Sequence, residues 1–141
     1  MIALRIPPNP KIQITLPVTQ PLNLKEMSAK LDELWSPRIV GELDNAYYAK
    51  IAKVKGELAW HSHDDEDELF IVIEGHLKIE MKDKTVELSP GDLYIVPKGV
   101  LHNPIAEEAC SVLIFEKKET RHTGNVENEK TRSIEKQLRP I

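Results

Sequence analysis

The chain has 141 residues, 40% hydrophobic and 30% charged, with a formal net charge of −4. That is the size and make-up of one globular domain with a substantial core. The 19 basic residues form no stripe interleaved with aromatics, which argues against a nucleic-acid partner, and no apolar run approaches the ~18 residues of a membrane span.

The amino terminus, Met1-Ile-Ala-Leu-Arg-Ile-Pro7, lacks a basic region followed by a long apolar one, so no secretory leader is expected. The single cysteine, Cys110, lies in the apolar run Cys110–Phe115 and reads as a buried structural thiol. Both features point to a cytoplasmic location.

Residues 1–21 carry Pro7, Pro8, Pro10, Pro17 and Pro21, which permits an edge strand or extended arm but not a helix. Within them Ile12–Leu16 alternates as a strand does. Helical spacing follows over 23–35, where Leu24, Met27, Leu31, Leu34 and Trp35 share one face. Asn23 is a suitable N-cap, Glu26 stands three residues on as in a capping box, and Ser36-Pro37 ends the helix.

From Ile39 to Phe115 the pattern becomes short strands, expected near 39–43, 46–54, 57–62, 67–73, 76–82, 84–88, 92–96, 101–105 and 109–116. Turn signals separate them at Lys55-Gly56, Glu74-Gly75, Lys82–Lys84, Ser89–Gly91 and Pro97–Gly99. Many short strands at this spacing predict an all-β sandwich or barrel. The organisation is therefore an arm and helix (1–37), a β-barrel (38–116) and a polar extension (117–141). Composition describes that extension as a mobile tail, or as one that docks, for instance on a second subunit.

His61 and His63 stand two apart in a segment read as strand, so both imidazoles face the same side. Such a pair alone is equally well explained as exposed histidines at a strand end. Glu68 follows the acidic turn Asp64–Asp67 and opens the apolar strand Leu69–Ile73, where an unpaired carboxylate would be costly to bury. A metal ion would offset that cost. Asp67 is the rival carboxylate, on the opposite face by strand parity. His102 follows the rigid Pro97-Lys-Gly99 turn. Three imidazoles and one carboxylate form a mixed nitrogen–oxygen set suited to one divalent transition metal (manganese, iron, nickel, zinc or copper), with positions left open for water or substrate. His76 and His122 read as incidental. Tyr94, Trp60 and Tyr47 are the candidate pocket aromatics, Tyr94 foremost, although strand aromatics are more often core.

At these residues the chain resembles the cupin superfamily. Its first motif, G(x)5HxH(x)3–4E(x)6G, is matched by Gly56, His61, His63, Glu68 and Gly75, with four residues instead of five between Gly56 and His61. The second, G(x)5PxG(x)2H(x)3N, is matched by Gly91, Pro97, Gly99 and His102, with Ala106 at the final asparagine position and Asn103 out of register. The likeness covers roughly residues 38–116 and is closest to small single-domain bacterial cupins of the mannose-6-phosphate isomerase-like kind. It implies an all-β double-stranded β-helix, the RmlC-like jelly roll, with His61, His63, Glu68 and His102 as ligands of a metal in the barrel mouth. It also implies a homodimer.

Three functions fit these features. The first is a metal-dependent enzyme acting on a small molecule, of dioxygenase or isomerase type. The second is a non-catalytic barrel that binds or senses a metal or small ligand; no DNA-binding segment accompanies it. The third is a metal-free sugar-nucleotide epimerase using a histidine base and a tyrosine acid, against which the full set of three histidines and a glutamate argues.

Overall fold

The computed structural model describes residues 20–141. The alternating stretch Ile12–Leu16 lies outside them. Seven strands carry the fold: β1 (Arg38–Leu43), β2 (Tyr47–Glu57), β3 (Glu68–Glu74), β4 (Leu77–Met81), β5 (Thr85–Leu88), β6 (Leu93–Val96) and β7 (His102–Lys117). Among the described residues these strands all pair antiparallel, in the order β1-β2-β7-β3-β6, with β4 joining both β5 and β7. This is the expected all-β jelly roll.

β7 ties the barrel together. Its first residues pair with β4 (Met81 opposite His102), and its last with β2 and β3 (Tyr47 opposite Lys117, Leu69 opposite Phe115). Sixteen residues of flat strand would span about 50 Å, too long for one side of a small barrel. The register with β2 shifts between Val54 and Gly56, and Glu107, Glu108 and Ala109 bow outward into solvent. The two strands expected at 101–105 and 109–116 are thus halves of one bent strand. Conversely, 57–62 is not a strand. β2 runs on to Glu57, and after it the chain stays beside β7 through Leu58 N–H on Pro104 O, Ala59 N–H on Asn103 Oδ1 and an isolated bridge between His61 and His102.

The core is the barrel interior, filled by side chains of alternating parity such as Ala52, Val54, Phe70, Val72, Leu77, Ile79, Val96, Val112 and Ile114. The Cys110 thiol sits in it, and burial pushes its pKa up to about 11.

The helix predicted over 23–35 forms only at Leu24–Ala29 (α1). Asn23 caps it as expected, its Oδ1 accepting from Glu26 N–H at 2.9 Å. Tertiary contacts then override helical propensity. Trp35 takes a left-handed backbone (φ 55°), donates its amide to Lys53 O at 2.9 Å and its indole N–H to Lys55 O at 2.8 Å, and inserts into the core. Leu34, expected on the buried face, is left exposed.

The extension has structure of its own. It carries a short helix, α2 (Ile134–Gln137), capped by Ser133, and lies along its own barrel. Arg38 donates to Pro140 O, Arg139 pairs with Glu33 at 3.4 Å, and Lys130 donates to Glu57 O. No described helix is long and apolar enough to cross a membrane.

Candidate metal centre

His61, His63, Glu68 and His102 converge. One ligand atom from each lies within 4.8 Å of the others, and all four side chains are buried. Local structure explains each position. Glu68 opens β3 with its side chain inward, in step with Phe70 and Val72. His102 opens β7, and the double backbone bond between His61 and His102 (both 2.9 Å) locks the two segments side by side. His63 lies in the loop beyond that bridge, where its carbonyl accepts from Gly99 N–H at 2.7 Å. The two histidines of the His-Ser-His run thus face one way through a bridge and a loop, not through strand parity. Asp67, the rival carboxylate, is turned away and accepts from Lys98 N–H at 2.8 Å.

Proton positions follow from the hydrogen bonds. A carbonyl only accepts, so the Nδ1 atoms of His61 and His102 donate, to Ala59 O at 2.8 Å and to Val100 O at 2.9 Å. In each neutral ring the lone pair is then on Nε2. His61 Nε2 is buried with no partner among the described residues. His102 Nε2 stands 3.3 Å from Glu68 Oε1, and His63 Nε2 stands 3.1 Å from the same oxygen. His102 Nε2 and Glu68 Oε1 are both acceptors and face each other at that distance only with a cation between them, a proton or a metal, whereas His63 Nε2 can meet the same oxygen in that way or by donating a proton of its own. Two rings held through Nδ1–H to a carbonyl are also how proteins orient imidazole ligands. The group fits one divalent transition ion.

Electrostatics agree. Burial lowers the pKa of His61 to about 4, helped by His102, so its ring is neutral and basic at Nε2. Burial also opposes charge on His63, but the hydrogen bond and charge of Glu68, with Glu116 and Glu66, outweigh it and raise the pKa. Burial alone would raise Glu68. A proton shared with the facing Nε2 atoms of His102 and His63 overcomes it and holds the carboxyl well below the usual range.

Sequence reasoning missed three functional neighbours. Glu116 sits one step beyond the pair Leu69–Phe115, which places it across from Glu68. It is fully buried against Lys50, with Nζ and Oε2 2.6 Å apart. Burial pushes its pKa up to about 8, with Lys50 opposing and Glu68 adding. The available signal was parity: Lys50 shares the inward face of β2 with Ala52 and Val54, and Glu116 that of β7 with Ile114 and Val112. The third is His122, read as incidental but only 5% exposed. His76 is exposed, as expected, near Ser89 Oγ. Asn103, although out of register with the motif, is buried: its Oδ1 accepts from Ala59 N–H and its Nδ2 donates to Glu57 Oε1.

A cavity of about 30 Å³ adjoins the cluster, lined by His61 and Glu68 together with Trp35, Phe70, Leu77, His122 and other apolar residues. Tyr94, Trp60 and Tyr47 do not line it. The Tyr94 hydroxyl is spent on Met81 Sδ at 3.7 Å, Trp60 is exposed at a bend, and Tyr47 stacks on Phe115 beside an outer groove. The aromatic walls are instead Trp35, from the unwound end of the helical segment, and Phe70 of β3.

A jelly roll with three histidines and a glutamate gathered inside is the build of a cupin. The cupin domain model matches residues 49–116. A cupin-2 domain protein from Shewanella frigidimarina superposes with a TM-score of 0.66 at 41% identity, covering 69% of this chain and 94% of that one. Protein NMB1881 from Neisseria meningitidis gives 0.63 at 28% identity, covering 70% and 100%. The Bacillus subtilis protein YdbB is 48% identical over 59 residues, 41% of this chain, and the match spans about half of that relative's length (52%). The chain belongs to the cupin superfamily.

Two outcomes follow from the buried charges. Lys50→Met strands Glu116 beside Glu68 and should cost about 3–5 kcal/mol in urea unfolding. Lys50→Met with Glu116→Leu should recover most of that, and equal losses in the two variants would show that the pair is not coupled. For pH, His61 and His122 are both lowered from 6.5 to about 4. Their neutral folded forms stabilise fully above pH 6.5, and that stability, on the order of 3 kcal/mol per ring, is lost as pH falls toward 4. His63, being raised, works the other way. Glu116, raised to about 8, also gains stability as pH falls. From pH 7 to 4.5 the melting temperature of chelator-treated wild type should therefore fall relative to that of His122→Gln, and parallel profiles would contradict the assignment.

Proposed function

We propose that this cupin is a metal-dependent enzyme that acts on a small molecule inside the barrel, of dioxygenase or isomerase type. The observation that carries this reading is the convergence of ring nitrogens on Glu68: Nε2 of His63 and of His102 lie within 3.3 Å of one buried oxygen, and His61 Nε2 is buried beside them with no partner among the described residues. His61, His63, Glu68 and His102 would hold one ion of manganese, iron, nickel, zinc or copper. When bound, such an ion supplies Lewis acidity and an anchoring point for a substrate oxygen.

The chain's own residues do the rest. The carbonyls of Ala59 and Val100 fix the ligand tautomers. Lys50 and Glu116 back Glu68 from behind. The apolar walls keep bulk water from the reacting face, which strengthens every charge interaction there. A metal-free epimerase has less support, since no tyrosine lines the cavity to serve as its acid. A non-catalytic metal- or ligand-binding barrel uses the same residues and differs only in turnover.

Elemental analysis of the protein, purified without chelators or an affinity tag, should find about one transition-metal ion per chain. The His61→Ala/His63→Ala variant should have none while keeping its β-sheet circular dichroism. A wild-type protein that takes up no metal even on reconstitution would remove this reading. Metal uptake without product across carbonyl, sugar and phenolic substrates, but with a ligand-induced rise in melting temperature, would move the assignment to the binding barrel.

A further inference from the structure

The cavity beside the cluster has one polar wall that comes from outside the cupin domain. The domain match ends at residue 116, and His122 lies beyond it in the carboxy-terminal extension. That segment is fitted tightly over the metal-binding loop. Asn125 grips Ser62 from both sides: Ser62 N–H donates to Asn125 Oδ1 at 3.0 Å, and Asn125 N–H donates to Ser62 O at 3.1 Å. Gly124, at φ +58°, lies so close that a Cβ there would strike Ser62 O and come within 2.8 Å of His61 Cδ2. His122 is therefore placed by backbone contacts on both sides of its neighbours, not by a loose tail.

The ring's orientation is also set. Arg132 N–H donates to His122 Nε2 at 2.7 Å, so the neutral ring carries its proton on Nδ1. No described residue accepts from that Nδ1–H. The ring lines the cavity together with His61 and Glu68. The remaining walls, among them Trp35, Val54, Phe70 and Val112, offer no hydrogen bonds, and no lysine or arginine among the described residues lines the cavity. The nearby ammonium of Lys50 is committed to Glu116.

We propose that His122 is the hydrogen-bond donor that fixes a short-chain oxygen ligand, a carboxylate or carbonyl with a small hydrocarbon body, next to the metal-binding cluster. The proposal rests on the metal-dependent reading above and names its substrate class. A ligand of this kind puts its oxygen at the His122 and Glu68 end and its carbons against the apolar walls. A sugar phosphate does not fit, because its ring exceeds the cavity and its hydroxyls would be buried against apolar walls without partners. The volume, about 30 Å³, is room for two or three waters and favours a body of a few carbons.

Two substitutions separate the donor from the anchor. In His122→Gln the amide oxygen can still accept from Arg132 N–H, but the donor at the Nδ1 position is lost. In His122→Asn the donor position is kept and the Arg132 contact is lost. The test loads full-length protein with Co²⁺, confirms uptake by its visible absorption, and titrates it with propionate and, separately, with mannose 6-phosphate. Wild type should show a saturable change in the cobalt spectrum with propionate and none with the sugar phosphate. His122→Gln, with cobalt uptake and melting temperature retained, should bind propionate about tenfold more weakly. His122→Asn should stay within a few-fold of wild type.

The proposal is overturned if His122→Gln binds propionate as wild type does, or if both variants lose affinity alike, which would make His122 only an anchor. It is equally overturned if mannose 6-phosphate binds as well as propionate, or if cobalt-loaded wild type ignores propionate. Absence of cobalt uptake by wild type would instead defeat the metal-centre reading beneath it.

Discussion

Glu68 is a carboxylate sealed inside an apolar barrel, 2% exposed, and the rest of the site is organised by the need to compensate it. An unpaired buried carboxylate would simply take up a proton and become neutral. Here Nε2 of His63 and His102 converge on one oxygen, and the buried Lys50–Glu116 pair stands behind. The backbone serves the same end. The His61–His102 bridge brings the two segments to the same depth, and two carbonyls turn the rings of His61 and His102 so that their lone pairs are at Nε2. The result is an excess of acceptors around a small volume, which a cation resolves.

How much of this the sequence made legible varied with the kind of signal. The four cluster residues were readable because their types and spacings are unusual together and because Glu68 opens an apolar strand. Glu68 is the carboxylate that joins the cluster, whereas Asp67, as parity anticipated, points the other way and accepts from Lys98 N–H. Strand boundaries were less legible. Residues 57–62 alternate well enough for a strand, but after Glu57 the regular ladder gives way to single backbone contacts with β7 at Leu58 and His61. The helix was overextended because propensity carries no knowledge that Trp35 has a better place in the core, with two carbonyls of β2 to bond.

The largest omission was the extension. Its composition is that of a solvated tail, and isolated apolar residues gave no period to follow. What orders it is mostly polar and long-range: Asn125 on Ser62, Arg139 on Glu33, and Arg38 on Pro140. Such contacts leave no local pattern in a sequence. They also show where individuality enters in a fold that hosts many chemistries. The barrel and its cluster are shared with the cupin family, whereas the cavity beside the cluster is finished by Trp35 from before the matched domain and His122 from after it. Selectivity for a ligand is accordingly expected to depend on the flanking segments more than on the barrel.

The central claim is that His61, His63, Glu68 and His102 together hold one metal ion. X-ray absorption at the edge of the metal retained by the purified protein tests it most directly. The account predicts a first shell of nitrogen and oxygen at about 2.0–2.2 Å, the multiple-scattering signature of imidazole from three rings, and no sulfur. A sulfur scatterer, or a shell without imidazole, would contradict it.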